Sequence, residues 1–273
     1  MGRIVTITDF DAPALDVYAR LTENQLVCRE NPAEGLMIAE SQLVIERALD
    51  AGFTPVSFLV ETRLLPQAGA LLERMPQTMP VYTAELSVLE RLTGYALTRG
   101  MLCAMRRPKA RTAQELLAGT SRVCVLEDVM NPTNLGAIFR SAAALGVEAV
   151  LLTAGCTDPL YRRAVRVSMG NVFFVPWAFF EAGEDWQALL RRAGFETAAM
   201  ALRSDAKMIW DASMQKIQKL AIVMGSEGPG LRDETIARCD HTVRVPMTNG
   251  VDSLNVAAAS AVAFYQLALL HGK

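Results

Sequence analysis

Three polar segments stand out in the second half of the chain, because each lies next to an apolar stretch typical of a buried strand. The first holds Asn134 and Arg140, the second is the glycine-rich run 225–230, and the third holds Ser253 and Asn255. In open α/β proteins, ligands bind where loops meet at the carboxyl ends of parallel strands. We therefore expect the three segments to converge on one ligand site.

Asn134 and Arg140 lie where an apolar strand gives way to a helix predicted over 135–145. Asn134 is of a type that caps helices, which is an ordinary structural role. Arg140 falls among alanine and isoleucine, where a lone guanidinium would need a partner. Two interpretations stay open for it: an internal ion pair with Glu127 or Asp128, or contact with a phosphate or hydroxyl of a substrate.

The glycine-rich run 225–230 reads Gly-Ser-Glu-Gly-Pro-Gly and directly follows an apolar strand over 220–224. Glycine lets a backbone approach a ligand closely, although any tight turn has a similar composition. The spacing is not that of a nicotinamide-binding GxGxxG loop. Glu227 within the run is suited to hold a cation, to orient an arginine, or to cap the next helix.

Ser253 and Asn255 open a largely apolar helix predicted over 253–270. Ser253 has the type of an ordinary N-cap, whereas the amide of Asn255 needs hydrogen-bond partners that a ligand or a neighbouring loop would supply. Polar residues interrupt the helix and no charges flank it as anchors, so we expect a buried or subunit-interface helix and no membrane span.

Composition limits the classes of function. A formal net charge of −2 argues against a protein covered in positive charge for bulk nucleic-acid binding, although it permits a local basic face. The five cysteines form no CxxC pair and only two histidines occur, which disfavours a metal site or a Cys–His catalytic site. Such cysteines fit reduced thiols, and the first residues lack the apolar core of a signal peptide, so we expect a cytoplasmic protein without a bound metal.

A chain of 273 residues is long enough for two domains, and strands and helices alternate in two separate stretches. Residues 1–105 predict a three-layer α/β unit, and residues 106–118 a linker. The basic start of that linker, 106–111, is a solvated connection or a hinge that contacts phosphate. Residues 119–273 predict a parallel sheet covered on both faces. Its expected strands include 123–126, 149–152, 172–175, 220–224 and 243–245.

Taken together, the three polar segments resemble the motifs of the SpoU (TrmH-like) family of RNA ribose 2'-O-methyltransferases. The pattern Asn-x-Gly-x-x-x-Arg-x-Ala occupies 134–142, and Gly-x-Glu-x-x-Gly occupies 225–230. Pro-Met stands at 246–247 and Ser-Leu-Asn-Val at 253–256. The resemblance spans about 119 to 270. It departs from the family at Ala257, where members often carry serine, and in the loop 248–250.

The resemblance implies a fold and an activity. The fold would be α/β, with a C-terminal parallel-sheet methyltransferase domain tied in a trefoil knot. A smaller N-terminal α/β substrate-binding domain more weakly resembles small ribosomal RNA-binding proteins, on the run 34–38. The activity would be methyl transfer from S-adenosyl-L-methionine to a ribose 2'-hydroxyl of a structured RNA, rRNA or tRNA. Family members dimerise through the C-terminal domain, so a homodimer is expected.

The resemblance also assigns roles to residues. Arg140 would be the favoured proton acceptor, although a guanidinium is almost always protonated and could instead steer phosphate. The residues that would fix this arginine and the ribose are Asn134, Glu227, Ser253 and Asn255. The residues that would cradle the cofactor are Leu202, Gly225, Val245 and Leu254. The basic side chains expected to help the N-terminal domain capture RNA are Arg106, Arg107, Arg162, Arg163 and Arg166.

Two other functions compete with this one. A non-catalytic RNA-binding or ribosome-assembly factor would keep the fold without turnover, but the intact motif residues count against it. A nucleotide-dependent enzyme would use the glycine-rich run for a different ligand, such as NAD or ATP.

Overall fold

The computed structural model describes residues 3–9, 11–28, 30–93 and 100–272. The chain forms two compact units, one made of 1–109 with 160–173 and the other of 110–159 with 174–273. The first compact unit therefore includes residues 160–173, which the sequence assigned to the second domain. The functional domains predicted over 1–105 and 119–273 remain a proposal.

The strands are β1 (Arg3–Thr6), β2 (Leu36–Glu40), β3 (Pro55–Glu61), β4 (Pro80–Ala84), β5 (Met101–Arg106), β6 (Arg122–Leu126), β7 (Ala149–Leu152), β8 (Trp177–Phe179), β9 (Glu196–Met200), β10 (Lys207–Met208), β11 (Leu220–Met224) and β12 (His241–Arg244). The helices are α1 (Asp16–Ala19), α2 (Glu23–Val27), α3 (Gln42–Asp50), α4 (Gly69–Glu73), α5 (Leu86–Thr93), α6 (Ala113–Leu117), α7 (Pro132–Ala144), α8 (Arg162–Val167), α9 (Trp186–Arg192), α10 (Asp233–Arg238) and α11 (Val256–Leu267). Short 3-10 turns connect several of them.

The first unit is built on a mixed sheet with the strand order β1-β4-β3-β5-β2. Strands β2 and β5 run antiparallel, whereas β1, β3 and β4 are parallel neighbours. The end of β2 carries Glu40, which is only 3% exposed and accepts ion-pair contacts from Arg162 at 3.3 Å and Arg166 at 3.6 Å. Two of the arginines expected to capture RNA therefore already have a buried carboxylate as a partner.

The second unit is built on a seven-stranded sheet with the order β10-β12-β9-β11-β6-β7-β8. Every pair of neighbours in it is parallel, which confirms the predicted parallel sheet. The central strand β11 is buried along its whole length, because helices cover both faces and its residues are all apolar. Since the strands are parallel, their carboxyl ends all lie along one edge.

The strand predicted over 172–175 is wrong. Residues Asn171–Phe173 form a 3-10 turn, and the pairing strand β8 begins only after Pro176. Met169 and Gly170 adopt left-handed backbone conformations that turn the chain, and Phe173 packs on Phe53 with ring centroids 4.8 Å apart. The apolar side chains in this run pack in the interior, but their backbone does not pair with a neighbouring strand. The edge strands β1 and β10 were not predicted.

The two helices that carry motif residues begin differently from the prediction. Asn131, not Asn134, caps α7 by accepting a hydrogen bond from Thr133 N at 2.8 Å, with Pro132 at the first helical position. Asn255, not Ser253, caps α11 by accepting from Ala257 N at 2.9 Å. The side chain of Asn134 is therefore left available for other contacts. Among the described helices, none is both long enough and apolar enough to cross a membrane.

Candidate active site

A pocket opens at the carboxyl edge of the seven-stranded sheet. It is lined by the segments that follow three strands, 200–203 after β9, 224–231 after β11 and 243–245 after β12, and by parts of 247–259. Its volume is about 360 Å³, within the range of roughly 300–1,000 Å³ typical of small-molecule sites. This is the edge at which the sequence predicts a ligand site.

The four residues predicted to cradle a cofactor, Leu202, Gly225, Val245 and Leu254, all line this pocket. Leu202 is 50% exposed and Leu254 38% exposed, so both present apolar surface at the pocket. The structure thus brings the four residues together from four separate segments. Their binding role stays a prediction.

Gly225 has a steric reason to be glycine. A Cβ atom at this position would lie 2.3 Å from the carbonyl carbon of Gly230 and 2.3 Å from the amide nitrogen of Leu231. Both are backbone atoms, so a side chain at 225 would push the loop open. The glycine-rich run folds back on itself, with a bridge between Ser226 and Gly230. The wall of the pocket depends on this close approach.

A chain of side-chain hydrogen bonds joins three motif residues from separate elements. Asn255 Nδ2 donates to Asn134 Oδ1 at 3.1 Å, and Asn134 Nδ2 donates to Glu227 Oε1 at 3.0 Å. The backbone N–H of Asn131 also donates to that oxygen, at 3.2 Å. Glu227 lines the pocket, so this network adjoins the pocket directly. One interpretation made Glu227 the cap of the helix that follows it. Its carboxylate instead accepts from Asn131 and Asn134, and α10 has no side-chain cap.

Ser253 and Arg140 are placed differently. Ser253 lines the pocket and is exposed, and it makes no hydrogen bond within the described part of the chain. Arg140 lies on the exposed face of α7 rather than in the apolar surroundings that its neighbours suggested. The ion pair proposed for it with Glu127 or Asp128 is wrong, since both carboxylates contact Arg232 instead, at 3.2 and 3.8 Å.

Glu127, directly after β6, holds the start of α10 that follows the glycine-rich run, and it was not predicted as a functional residue. Its carboxylate is 1% exposed and accepts from Arg232 N at 2.8 Å, from the Arg232 guanidinium, and from the Thr235 hydroxyl. Partial burial lowers the pKa of Arg232, but Glu127 outweighs it and the net shift is upward, which keeps the guanidinium charged. An acidic residue at a strand end is too common for sequence alone to have identified this role.

Further charged side chains line the pocket and were also not predicted. Arg203 and Asp233 form an ion pair at its wall. Arg244, at the end of β12, lines the pocket too, and its buried Nε has no hydrogen-bond partner in the described ranges. Within those ranges, no group of three or more His, Cys, Asp or Glu side chains is arranged to hold a metal ion.

Comparison with known proteins identifies relatives along nearly the whole chain. The sequence profile described as the SpoU rRNA Methylase family matches residues 121–265. An uncharacterized tRNA/rRNA methyltransferase of Mycobacterium bovis is 40% identical over 266 residues, covering 95% of this chain and 90% of the relative. The 23S rRNA (guanosine-2'-O-)-methyltransferase RlmB of Acinetobacter baylyi is 30% identical over 70% of this chain and 79% of its own length.

A solved structure, the AdoMet-bound rRNA methyltransferase of Sinorhizobium meliloti, has the same fold. It aligns with a TM-score of 0.81 over 97% of this chain and 98% of its own, at 24% identity. The profile match covers more than half of the chain and includes all three motifs. The chain thus belongs to the SpoU rRNA Methylase family, an RNA methyltransferase family, as those motifs predict.

Proposed function

We propose that this protein transfers a methyl group from S-adenosyl-L-methionine to a ribose 2'-hydroxyl of a structured RNA, rRNA or tRNA. The observation that carries the proposal is the shared position of Glu227, which lines the pocket and ends the hydrogen-bonded chain from Asn255 through Asn134. Glu227 thereby connects the pocket, which suits a small ligand, to the two asparagine amides, which can donate hydrogen bonds to RNA.

The pocket fits S-adenosyl-L-methionine in its chemistry. Leu202, Val245 and Leu254 offer apolar surface for a purine, and Gly225 lets the backbone come close to it. Glu227 and Asp233 supply negative charge for a sulfonium or an ammonium group, and Arg244 supplies positive charge for a carboxylate. When bound, the ligand supplies an activated methyl group. The S. meliloti relative, whose structure holds AdoMet, supports the same assignment.

The specificity for a 2'-hydroxyl is supported by the RlmB relatives, which are named for that reaction on 23S rRNA. In this proposal Asn134, Ser253 and Asn255 position the ribose. Arg140 steers phosphate or takes part in proton removal. The N-terminal unit and nearby basic residues capture the RNA.

The knot and the homodimer are also part of the proposal. The segments 225–231 and 243–256 both contribute to one pocket wall, as a knotted C-terminal segment would require. Two exposed apolar side chains on α11, Val262 at 39% and Tyr265 at 51%, are suited to a contact between two copies. Because α11 packs on α7, such a contact would also bring Arg140 close to the partner.

The test is methyl transfer from labelled S-adenosyl-L-methionine to total RNA, followed by mapping of 2'-O-methyl sites in rRNA and tRNA from a strain that lacks the gene. We expect one or a few sites to be missing in that strain and to be restored by the purified protein. A non-catalytic assembly factor would bind RNA without incorporating label. Calorimetry with S-adenosylhomocysteine, NAD and ATP separates the nucleotide-dependent alternative.

A further inference from the structure

Trp210 is the most exposed aromatic side chain in the described part of the chain, at 59%. The other two tryptophans pack against phenylalanine rings. Trp177 lies edge-on to Phe179 with centroids 6.1 Å apart, and Trp186 stacks on Phe180 at 5.6 Å. No ring of a described residue packs on Trp210. A single exposed apolar side chain is ordinary, so its support and its position decide whether it has a function.

The turn that carries Trp210 is fixed by its neighbours. Ile209 is only 4% exposed, and its N–H donates to Arg244 O at 3.0 Å. On the other side of the indole, Asp211 N donates to Met208 O at 2.9 Å. The exposed ring is therefore presented on a rigid backbone. Little conformational entropy is lost when a flat ligand stacks on such a ring.

The position of this turn places the indole at the same edge of the sheet as the pocket. Strand β10 runs parallel to β12 with Met208 opposite Arg244, and Arg244 lines the pocket. Trp210 follows the end of β10, so it lies at the carboxyl edge. Three strand spacings, about 14 Å, separate β10 from β11, which leads into the loop that holds Glu227. The indole thus lies beside the candidate active site but outside its pocket.

The charges next to the indole indicate which part of a nucleotide it suits. The segment 203–211 carries two basic and two acidic side chains, Arg203 and Lys207 against Asp205 and Asp211. Arg203 is also engaged by Asp233. A segment with balanced charge does not attract phosphate groups, which bind where positive charge is in excess. A nucleobase is neutral and stacks on an aromatic ring without any need for charge.

We propose that Trp210 stacks on a base of the substrate RNA that flanks the reacting nucleotide; this rests on the proposed function. The chain belongs to an RNA methyltransferase family, which makes RNA the partner at this edge of the sheet. Unpaired bases in loops and single strands are the part of RNA that aromatic side chains recognise. Because the ring lies outside the pocket, the contact is the same before and during methyl transfer. It therefore strengthens RNA binding and does not speed the reaction of bound RNA.

The test is steady-state methyl transfer to total RNA from a strain that lacks the gene. Trp210→Ala should raise the KM for RNA about tenfold and leave kcat within about twofold, because the lost contact is uniform binding. Trp210→Phe keeps a ring, so both of its constants should stay within about threefold of wild type. Affinity for S-adenosylhomocysteine, measured by calorimetry, should be unchanged in both variants.

Phe174→Ala is the matched control. Phe174 is an aromatic residue that is 49% exposed in the same unit, but it precedes β8 and so lies at the amino end of the sheet. Its removal should leave the KM for RNA unchanged.

Tryptophan fluorescence separates contact with a base from contact with phosphate. A short oligoadenylate should quench the emission of the wild-type protein, whereas an abasic ribose–phosphate strand of the same length should not. The quenching should disappear in Trp210→Phe, although Trp177 and Trp186 are still present.

Several results would overturn the inference. They are a KM for Trp210→Ala within about twofold of wild type, a phenylalanine variant as impaired as the alanine variant, and equal quenching by the abasic strand and the oligoadenylate. A change of oligomeric state in Trp210→Ala, measured by analytical ultracentrifugation, would assign the ring to a second copy instead. If the wild-type protein binds no S-adenosylhomocysteine and methylates no RNA, the proposed function itself fails. That outcome is visible before any variant is made.

Discussion

The two ends of the seven-stranded sheet are formed by the same parallel strands but differ in how many of their charged groups have hydrogen-bond partners. At the amino end, the guanidinium of Arg122 is buried and donates to four backbone carbonyls, those of residues 121, 217, 218 and 267. At the carboxyl end, Glu227 Oε2 and Arg244 Nε have no protein partner among the described residues. One end is complete without a ligand, and the other is not.

Carboxylates at the amino end are also fully engaged. Glu148 accepts from the backbone N–H groups of Ser121 and Arg122, and Asp240 accepts from Thr197 N at 2.9 Å and from its hydroxyl at 2.8 Å. These bonds tie loops to the starts of strands. We conclude that the charged groups at the amino end stabilise the fold, whereas the carboxyl end combines engaged groups such as Glu127 with polar atoms that stay free for binding. Substitutions at the amino end should therefore lower the free energy of unfolding and leave ligand affinity unchanged. Substitutions at the carboxyl end should mainly lower ligand affinity.

The largest effect is expected for Arg122→Met at the amino end. The substitution leaves several buried carbonyls without a donor, and each such group costs about 1–3 kcal/mol, so a total loss of about 3–5 kcal/mol is expected. Urea denaturation measures it. Affinity for S-adenosylhomocysteine, measured well below the unfolding transition, should not change. A loss below about 1 kcal/mol would contradict the view that this end carries stability.

Gly225→Ala should show the reverse behaviour at the carboxyl end. The new Cβ would meet backbone atoms of residues 230 and 231 at 2.3 Å, so the loop must move away from the pocket wall. We expect affinity for S-adenosylhomocysteine to fall about 100-fold, which corresponds to about 2.7 kcal/mol. Gly228→Ala is the matched control in the same loop, because an added Cβ there has nothing within 4 Å. Equal effects of the two substitutions would refute the steric argument.

Asn255 both caps α11 and donates to Asn134 in the candidate active site, and two substitutions separate these roles. Asn255→Ala removes the cap of α11 and should cost about 1 kcal/mol of unfolding free energy. Asn255→Ser keeps a capping oxygen, so its stability should stay close to wild type, but its shorter side chain lacks the second polar atom with which Asn255 reaches Asn134. Both should slow methyl transfer. If the serine variant retained full activity, the bond to Asn134 would have no part in the reaction.

The same contrast explains what the sequence could predict. Asn134, Glu227 and Asn255 were expected to meet because each follows a strand, and parallel strands end along one edge. The cap of α7 was placed wrongly, since Asn131 and Asn134 have the same type and only the position of the chain relative to Pro132 decides between them. Arg140 was expected to be buried, but its exposure depends on which face of α7 is covered by α11. That face is set by packing between elements 120 residues apart, which local composition does not specify.

Glu148 offers the smallest test, because its carboxylate is exposed and water screens it. Partial burial raises the pKa of Glu148, but the backbone N–H groups of Ser121 and Arg122 and the Arg122 charge outweigh it, so the pKa lies below its ordinary value. A carboxylate with a lowered pKa stabilises the fold above the unfolded-state pKa of about 4.3. It loses that contribution as the pH falls through the lower folded-state pKa.

Glu148→Gln should therefore be less stable than wild type at pH 7, by less than about 1 kcal/mol, and this gap in unfolding free energy should close in acid. Thermal unfolding of both proteins from pH 7 to pH 3 measures the gap. A gap that widens in acid would mean that Glu148 is held at the amino end mainly by its neutral form.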